Sequence, residues 1–471
     1  MSDVKFFKPN QISKLLETLP VTAIILAIPN ASHYYRREIV SRLIPFGIEI
    51  KTIQLSTEDH VNGNSENRIR FVGCRDFFDQ SSLPPDEFLM RKNITGKVVL
   101  VTGVAGNVGA ELCRQIIKYE PASLVLFDML EGPLLEVATE LHELLANEGR
   151  SLSINAVVGA IQDASSVANV LRAYYPETVY HCATYRDAGI AEENIVEVIR
   201  NNAFGTKVIV DASSGLGIEH LILISTDSAM RPCNILAASL RLAELIFQVA
   251  DEISIGTRFS IVRVSDVVPL KSPIVSRIEE AIDLGGPVLI SFRESRQYLC
   301  SIAELGEMII QAGAISAGGE VFVVDLGEKV SLIELAKTLI RARGFQPCME
   351  THPAPKGTTV RQIRIQLLGR DYEDVPSDIP LYGRDPEGTI HPKILKASDV
   401  SLSSAHLDRI LALLDRACDR DDVAIIKVIL TEDAIGFAPG GKNTEFVGVE
   451  RVSAGETQGG LPLLRLVKRD E

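Results

Sequence analysis

The residues best suited to chemistry lie between Ser225 and Glu244, in the stretch STDSAMRPCNILAASLRLAE. It follows the apolar run LILI and opens a segment with helical spacing. The carboxyl group of Asp227, with the hydroxyl of Thr226 beside it, could protonate a leaving group as a general acid. The stretch contains no Tyr, Lys or His, so it offers no side chain of the usual kind to act as the matching base. The alternative for Asp227 is structural, with its carboxylate capping the helix or loop that follows.

A second chemical pattern lies upstream in VLVTGVAGNVGAELCRQI, where Gly103, Gly106 and Gly109 have the spacing G-x-x-G-x-x-G. Glycines at a strand-to-helix turn let a pyrophosphate approach the backbone, and the helix N-terminus then faces the anion. The next strand ends in Asp128, about 20 residues on, where an acid holds an adenosine ribose. The pattern predicts a dinucleotide site, and NAD is favoured over NADP because the carboxylate repels a 2′-phosphate. The alternative is a turn that serves packing alone.

The elements that must position these residues alternate between strands and helices. From Lys97 onward, helical patterns separate most of the apolar strands KVVLVTG, SLVLFD, SINAVVGA, TVYHCAT, HLILIST and FSIVRVSD. This alternation predicts an α/β fold with a doubly wound parallel sheet. We expect four parts: an N-terminal α/β unit (1–93), a dinucleotide-binding domain (94–265), a smaller substrate lobe (266–393), and C-terminal helices with a Gly-rich tail (394–471). The smaller lobe should contain the strand EVFVVDLG and the helix SLIELAKTLIRARG.

Bulk properties exclude several classes of function. The net charge of −14 over 471 residues argues against nucleic acid as a partner, which requires a basic face. Seven scattered cysteines without a C-x-x-C pair indicate reduced thiols in a cytoplasmic protein. The eight histidines have no ligand spacing, so we expect no metal site. The longest apolar runs, such as AIILAI, have strand length, so we expect no membrane span of the chain's own.

Several segments taken together resemble one enzyme family: TGVAGNVGAELCRQI, LFDMLE, YHCATYRD, EENIVEVIRNNAFGT, LISTDSAMRPCN and IHPKI. They are similar to the nucleoside-diphosphate-sugar epimerases and dehydratases of polysaccharide biosynthesis. These are CapD-like extended short-chain dehydrogenase/reductases, similar to UDP-N-acetylglucosamine 4,6-dehydratases. The resemblance implies a Rossmann domain that binds NAD(P), a smaller substrate lobe, and a nucleotide sugar such as UDP-N-acetylglucosamine. The implied reaction is oxidation at C4, loss of water across C5 and C6, and return of the hydride.

The glycine pattern and the resemblance together assign roles to individual positions. The expected cofactor contacts are Gly103, Gly106, Asn107, Val108, Gly109, Asp128, Ala183 and Ser225, and the expected substrate contacts are Tyr185, Arg186 and Asn202. Asp227, with Thr226, occupies the place of the acid. Ser228 replaces the Lys that serves as C5 base in the family. Leu236 replaces the Tyr or Met that takes the C4 hydroxyl proton, and Leu240 replaces its supporting Lys.

The helix ILAASLRLAELIFQVA, which carries both leucines, should be well formed. Leu236, Leu240 and Ala243 fit a buried stripe, whereas Arg241 and Glu244 fit a solvated face. Its segment LAELIFQVA could support dimerisation or be buried within the monomer.

Three hypotheses remain open. The first is an active dehydratase or epimerase with unorthodox residues. The second is a catalytically silent relative that binds NAD and a nucleotide sugar, as a regulatory or scaffolding partner in a homo-oligomer or in a hetero-oligomer with an active paralogue. The third is an NAD-dependent oxidoreductase of another substrate. Each general acid or base typically contributes ~10²–10⁴-fold, so the replacement of two or three such groups favours the second hypothesis.

Overall fold

The computed structural model of the chain describes residues 21–28, 33–54, 68–74, 76, 84–265, 267–269, 273–290, 296–327, 329–349, 361–367, 386–399, 401–438, 448–451 and 464–467. The chain divides into two compact units. The first comprises Met1–Pro84, Asp266–Leu305 and Leu326–Asp374, and the second comprises Pro85–Ser265, Gly306–Asp325 and Val375–Glu471. The four expected parts are thus grouped in a different way. The N-terminal part shares a unit with most of the expected smaller lobe, and the C-terminal helices share one with the expected dinucleotide-binding domain.

The described strands, in chain order, are β1 (Ala23–Leu26), β2 (Glu49–Gln54), β3 (Arg68–Phe71), β4 (Val98–Thr102), β5 (Ser123–Asp128), β6 (Ser153–Val158), β7 (Thr178–His181), β8 (His220–Thr226), β9 (Arg258–Val264), β10 (Val267–Pro269), β11 (Val288–Ile290), β12 (Arg296–Cys300), β13 (Val321–Val324), β14 (Val330–Ser331), β15 (Gln346–Met349), β16 (Gln362–Leu367), β17 (Glu387–Gly388), β18 (Ile394–Ala397), β19 (Gly448–Arg451) and β20 (Leu464–Val467).

The described α-helices are α1 (His33–Leu43), α2 (Glu87–Lys92), α3 (Asn107–Ile116), α4 (Glu131–Asn147), α5 (Ala164–Tyr174), α6 (Ala188–Glu193), α7 (Ile195–Ile199), α8 (Thr206–Leu216), α9 (Ile235–Ile253), α10 (Pro273–Asp283), α11 (Ile302–Ile315), α12 (Leu332–Ala342), α13 (Ser404–Asp419) and α14 (Val423–Leu430). A π-helical turn, Arg200–Gly205, joins α7 to α8. Both expected C-terminal helices are present, whereas the Gly-rich tail falls mostly outside the described residues. Within the described part of the chain, no helix has the length and apolarity needed to cross a membrane.

The second unit is built on a nine-stranded sheet with the order β17-β18-β13-β9-β8-β7-β4-β5-β6. The seven strands from β13 to β6 in this order are parallel to one another. Strand β18 pairs antiparallel with β13, and β17 pairs antiparallel with β18. The chain proceeds outward from β4 to β6 on one side and from β7 to β9 on the other. The expected doubly wound sheet is therefore confirmed.

The central strands of this sheet are buried along their length, as their apolar sequences predict. All seven residues of β8 are buried. The strand EVFVVDLG, expected in the smaller lobe, is β13 and pairs with β9 in the main sheet. All four residues of β13 are buried, and an apolar strand of this kind requires a sheet covered on both faces.

The first unit contains three three-stranded sheets, β1-β2-β3, β10-β12-β14 and β11-β16-β15. Its N-terminal sheet is held by side chains from much later in the chain. Arg343 donates to the Val72 carbonyl at 2.7 Å, and its guanidinium lies 4.4 Å from the centre of the Phe71 ring. The Glu279 carboxylate of α10 accepts from the Cys74 amide at 3.0 Å. A three-stranded sheet this small has little core of its own, which accounts for its union with α10 and α12.

Helix α9 is the most deeply buried helix segment beside the main sheet. Every residue from 235 to 250 is buried. Apolar residues of α13 and α14, including Leu414 and Ile426, belong to the same hydrophobic core. Arg200 also fixes α13, because its guanidinium donates to Asp415 and Asp419 at 2.5 Å each. The segment LAELIFQVA is therefore buried within the monomer.

Two charged residues of α9 were expected on a solvated face, and that expectation is wrong. Arg241 is 6% exposed and Glu244 is 0% exposed. They join Arg263 of β9 and Asp399, which follows β18, in a buried network of two guanidinium and two carboxylate groups. The Arg263 guanidinium donates to both Glu244 oxygens, at 2.8 and 2.6 Å, and also to Asp399.

The network is electrically balanced. Burial alone would lower the pKa of the Arg263 guanidinium, but Glu244 and Asp399 raise that pKa further than burial lowers it. Burial would likewise raise the pKa of Glu244, yet Arg263, Arg241 and Ser225 together hold it below its ordinary value. Arg263 and Glu244 therefore stay charged, and the network ties α9, β9 and the segment after β18 together.

A second buried connection runs from β4 to the π-helical turn through His181. The imidazole Nδ1 lies 2.8 Å from Thr102 Oγ1, and Nε2 lies 3.1 Å from Thr206 Oγ1. The Thr206 hydroxyl donates to the Asn202 carbonyl at 2.6 Å. Burial lowers the pKa of His181 to about 3, so the ring is neutral and links the strand before the glycine-rich turn to the helix opposite.

Glu244→Gln should destabilise the protein by about 3–5 kcal/mol, because it leaves a buried guanidinium without its counter-charge. Glu334→Gln is the matched control, since Glu334 pairs with Lys337 on the surface and its side chain is 59% exposed. That change should stay within about 0.5 kcal/mol. Urea unfolding followed by circular dichroism measures both. Equal midpoints for the two variants would contradict a stabilising role of the network.

Acidification should destabilise the protein partly through His181. The unfolded imidazole binds a proton near its ordinary pKa of 6.5, whereas the folded one does so only near 3. Stability is therefore lost as the pH falls below 6.5, by about 2 kcal/mol at pH 5 from this group. His181→Gln should flatten the pH dependence of unfolding between pH 7 and 5 by that amount. The exposed His142 provides the control, since His142→Gln should keep the wild-type slope.

Candidate functional site

The glycine-rich turn between β4 and α3 has no room for side chains. Gly103 has a φ of +74°, and a Cβ there would lie 2.5 Å from the Ala183 nitrogen. A Cβ on Gly109 would overlap the carbonyl oxygen of Gly103. Helix α3 begins at Asn107 with Gly106 as its N-cap, and no side chain accepts from its first amides. The turn thus presents helix N-terminal amides at the carboxyl edge of the sheet, where a pyrophosphate would bind.

Asp128 lies at the end of β5, next to this turn. Its carboxylate accepts from the Ala105 amide at 2.8 Å and from the Leu130 amide at 2.9 Å. The residue pairs with Val158 of β6, and the side chains of Val158, Met129 and Leu130 are 52–55% exposed. An anchored carboxylate beside exposed apolar side chains fits a ribose and an adenine ring. The expected cofactor residues on β4, α3 and β5 therefore form a cradle that fits the adenosine half of a dinucleotide.

The remaining expected cofactor residues are Ala183, which follows β7, and Ser225, which lies in β8. Ala183 packs against Gly103, as the close approach to its nitrogen requires. Ser225 is fully buried and helps to lower the pKa of Glu244. The neighbouring Cys182 is no nucleophile at neutral pH, because burial raises the pKa of its thiol to about 12.

Asp227 and its neighbours form a small polar cluster directly after β8. The Thr226 hydroxyl donates to the Asp227 carboxylate at 3.2 Å, and the Ser228 hydroxyl lies 3.2 Å from the same Thr226 oxygen. Thr226 also caps the short turn Asp227–Met230. Asp227 is only half-buried, so a ligand could reach it. The cluster contains one carboxylate and two hydroxyls, and none of its described hydrogen-bond partners is a Lys, His or Tyr side chain.

The two leucines of α9 lie in the hydrophobic core. Leu236 is 8% exposed and Leu240 is 0% exposed. The start of this helix is well anchored, because Asn234 accepts from the Ala237 amide at 2.8 Å and Glu192 accepts from the Ile235 amide at 2.7 Å. Helix α9 is thus intact, and the side chains of Leu236 and Leu240 pack in the hydrophobic core.

The three expected substrate residues lie near one another, but one of them is used inside the protein. Asn202 is fully buried, with Oδ1 accepting from the Tyr185 amide at 2.8 Å and Nδ2 donating to the Ser239 hydroxyl at 2.9 Å. It positions the segment after β7 against α9. Arg186 is exposed, and its guanidinium donates to the carbonyls of Ile224 and Ser225 at 2.6 and 3.4 Å.

Tyr185, directly before Arg186, carries a phenol group, and the environment of this phenol makes it a poor base. Its hydroxyl lies 3.3 Å from the Glu197 carboxylate. Burial and the charge of Glu197 both raise the pKa of Tyr185, so the phenol stays protonated. It is therefore unsuited to act as a base at neutral pH.

The sequence analysis missed two groups that support the site, His181 and Arg263. The signal for His181 was a histidine within the buried strand YHCAT, where an imidazole needs partners for both nitrogens. The signal for Arg263 was an arginine within the otherwise apolar strand FSIVRV, where a buried charge requires opposite charges around it.

Comparison with known proteins relates this arrangement to one family. Residues 99–369 match the family model described as polysaccharide biosynthesis protein. The capsular polysaccharide biosynthesis protein CapD of Staphylococcus aureus is 31% identical over 334 residues, 71% of this chain and 55% of CapD. The probable polysaccharide biosynthesis protein EpsC of Bacillus subtilis is 30% identical over 358 residues, 76% of this chain and 57% of EpsC. The chain thus spans slightly more than half the length of these two relatives.

A more distant relative is a UDP-N-acetylglucosamine 4,6-dehydratase (inverting) of Campylobacter jejuni. It is 24% identical over 232 residues, 48% of this chain and 66% of that enzyme. The family model covers more than half of the chain, and the segments that carried the resemblance lie largely within it. The chain belongs to the polysaccharide biosynthesis protein family, as its motifs predicted.

Proposed function

We propose that this protein binds NAD at the carboxyl edge of its main sheet and a nucleotide sugar beside it, and that it lacks the dehydratase activity of its relatives. The observation that carries the proposal is the burial of Leu236 and Leu240 in the core of an intact helix. Neither side chain can hold or move a proton. Ser228, in the place of a Lys, has a hydroxyl that stays protonated at neutral pH.

The residues on the adenosine side support NAD as the cofactor. Gly103 and Gly109 leave space for a pyrophosphate, and the anchored carboxylate of Asp128 would accept from ribose hydroxyls while it repels a 2′-phosphate. NAD, when bound, would supply the hydride acceptor for oxidation at a sugar carbon. Tyr185 stays protonated and therefore offers no base for the C4 hydroxyl proton.

UDP-N-acetylglucosamine is the nucleotide sugar that we propose as the ligand. The support comes from the family and from the name of the Campylobacter jejuni relative. Arg186, exposed in the segment after β7, has a guanidinium that could pair with a phosphate. We propose a cytoplasmic protein that acts as a regulatory or scaffolding partner. Association with a second chain would use a surface other than α9, which the chain covers itself.

One observation favours a second candidate, an active dehydratase or epimerase with unorthodox residues. The cluster of Thr226, Asp227 and Ser228 keeps a reachable carboxylate at the end of β8, where a general acid would serve the reaction. An acid alone accounts for only part of the chemistry, since oxidation at C4 and removal of the C5 proton both need a base.

NAD binding should depend on the glycine-rich turn and on Asp128. By isothermal titration calorimetry, Gly109→Val should abolish binding, because its side chain would overlap the Gly103 carbonyl. Asp128→Ala should weaken NAD binding about tenfold or more and reduce the preference over NADP. Gly132→Ala in α4 is the control, since nothing lies within 4 Å of the added Cβ. A wild-type protein that binds NADP more tightly than NAD would contradict the assignment.

No 4-keto-6-deoxy product should form when the purified protein is incubated with NAD and UDP-N-acetylglucosamine and followed by NMR. The loss of two or three acid–base groups predicts a rate lower by about 10⁴-fold or more than in a complete enzyme. The Campylobacter jejuni dehydratase, assayed in parallel, is the positive control. Product formation at a similar rate would overturn the proposal in favour of the second candidate, and its loss in Asp227→Asn would then identify the acid.

A further inference from the structure

The π-helical turn Arg200–Gly205 holds the segment after β7 that carries Tyr185 and Arg186. Asn202, within the turn, accepts from the Tyr185 amide at 2.8 Å. A second asparagine of the turn, Asn201, donates to the carbonyl of residue 183 in the same segment at 3.0 Å. A displacement of the turn would therefore displace the backbone that bears the exposed guanidinium of Arg186.

The turn is itself held by α13. Helical turns of the π type are rare and occur frequently at functional sites. Arg200, the first residue of the turn, donates through Nη1 to the Asp415 carboxylate and through Nη2 to the Asp419 carboxylate, at 2.5 Å each. Its Nη2 also lies 3.3 Å from the Asp415 carbonyl oxygen. Helix α13 thus grips the turn through one guanidinium.

The C-terminal segment 401–438, which contains α13 and α14, also contacts the other elements near the polar cluster. The Ala438 amide donates to the Pro232 carbonyl at 2.9 Å, in the stretch that leads from the cluster to α9. The Arg241 guanidinium of α9 donates to the Ala434 carbonyl at 3.3 Å. This segment therefore supports both the turn and the start of α9.

We propose that Arg200 is a positioning residue for the nucleotide sugar, and that docking of α13 on Arg200 is coupled to binding of that ligand. Asp415 and Asp419 hold Arg200, the turn holds the segment after β7, and that segment presents Arg186 to a phosphate. The inference rests on the proposed binding of a nucleotide sugar. It adds which distant groups set the place of the arginine that receives the ligand.

The dinucleotide cradle is anchored separately. The Cys182 amide donates to the Thr102 carbonyl of β4 at 3.1 Å, so the chain is fixed to the main sheet just before Ala183, which packs against Gly103. Tyr185 and Arg186 lie beyond that anchor. Weakening of the contact with α13 should therefore affect the nucleotide sugar and spare NAD.

The exposure of the ion pairs limits the size of the effect. The side chains of Asp415 and Asp419 are 51% and 68% exposed, and pairs this accessible typically change an equilibrium about twofold to fivefold each. Because coupling between two binding events is reciprocal, the nucleotide sugar should in turn tighten the docking of α13.

Arg200→Gln and the double variant Asp415→Asn/Asp419→Asn test the proposal, with UDP-N-acetylglucosamine as the probe in calorimetry. Each should bind the probe about threefold to tenfold more weakly than wild type. The triple variant should bind as Arg200→Gln does, because both changes remove the same contact. NAD affinity should stay within about twofold of wild type in all three.

Hydrogen exchange supplies a readout that a purely structural role of Arg200 would not change. In the wild type, UDP-N-acetylglucosamine should slow amide exchange in α13, and in Arg200→Gln this protection should be lost. Lys207→Gln is the matched control, since Lys207 of α8 pairs with Asp211 of the same helix and leaves α13 untouched. This variant should bind the probe as wild type does.

The outcomes separate the inference from the function on which it rests. A wild-type protein that binds NAD but not UDP-N-acetylglucosamine overturns the proposed sugar ligand and the inference with it. Wild-type binding of the probe that is unchanged in Arg200→Gln and in the double variant overturns the inference alone. Equal weakening of NAD, weakening in Lys207→Gln, or losses that simply add in the triple variant would also overturn it.

Discussion

The buried guanidinium of Arg263 is the constraint on which much of the second unit depends. A charge taken out of water is costly unless opposite charges surround it, and Arg263 is 0% exposed. Its partners come from two directions, Glu244 on α9 and Asp399 after β18. The chain must therefore return to the main sheet after leaving the first unit. That return brings α13 and α14 onto α9, where they cover its outer residues and exclude water from the network.

The same constraint accounts for how α9 keeps its place with leucines at positions 236 and 240. Helix α9 is fixed by Glu244, by its cap at Asn234 and by Glu192, and none of these contacts involves Leu236 or Leu240. Ser225 of β8 is fully buried and helps to lower the pKa of Glu244. Leu236 and Leu240 thus add to the core packing of the helix without taking part in the contacts that anchor it.

Local patterns in the sequence predicted the main sheet, because apolar strands and glycine spacing depend on neighbours a few residues apart. They failed for Arg241 and Glu244, whose helical spacing on α9 resembles a solvated face. The partner that buries Arg241, Asp399, lies 158 residues later. The strand EVFVVDLG was assigned to the wrong part for a similar reason, since its apolar sequence shows that it is buried but not beside which strand. Asn202 was expected to contact substrate, but its side chain forms hydrogen bonds with the Tyr185 amide and the Ser239 hydroxyl. Nothing in the sequence around Asn202 indicates these two partners.

The described polar groups at the end of β8 and directly after it are mostly hydroxyls. Hydroxyls such as those of Thr226 and Ser228 donate and accept hydrogen bonds but stay protonated at neutral pH. Tyr185 is kept protonated by burial and by Glu197, and Cys182 is kept so by burial. The carboxylate of Asp227 has a hydroxyl as its described hydrogen-bond partner, and no Lys, His or Tyr side chain is among those partners. Groups of this kind suit the hydrogen bonding of a dinucleotide and a sugar hydroxyl that the proposed function requires, and under that proposal turnover would need a base from outside this set.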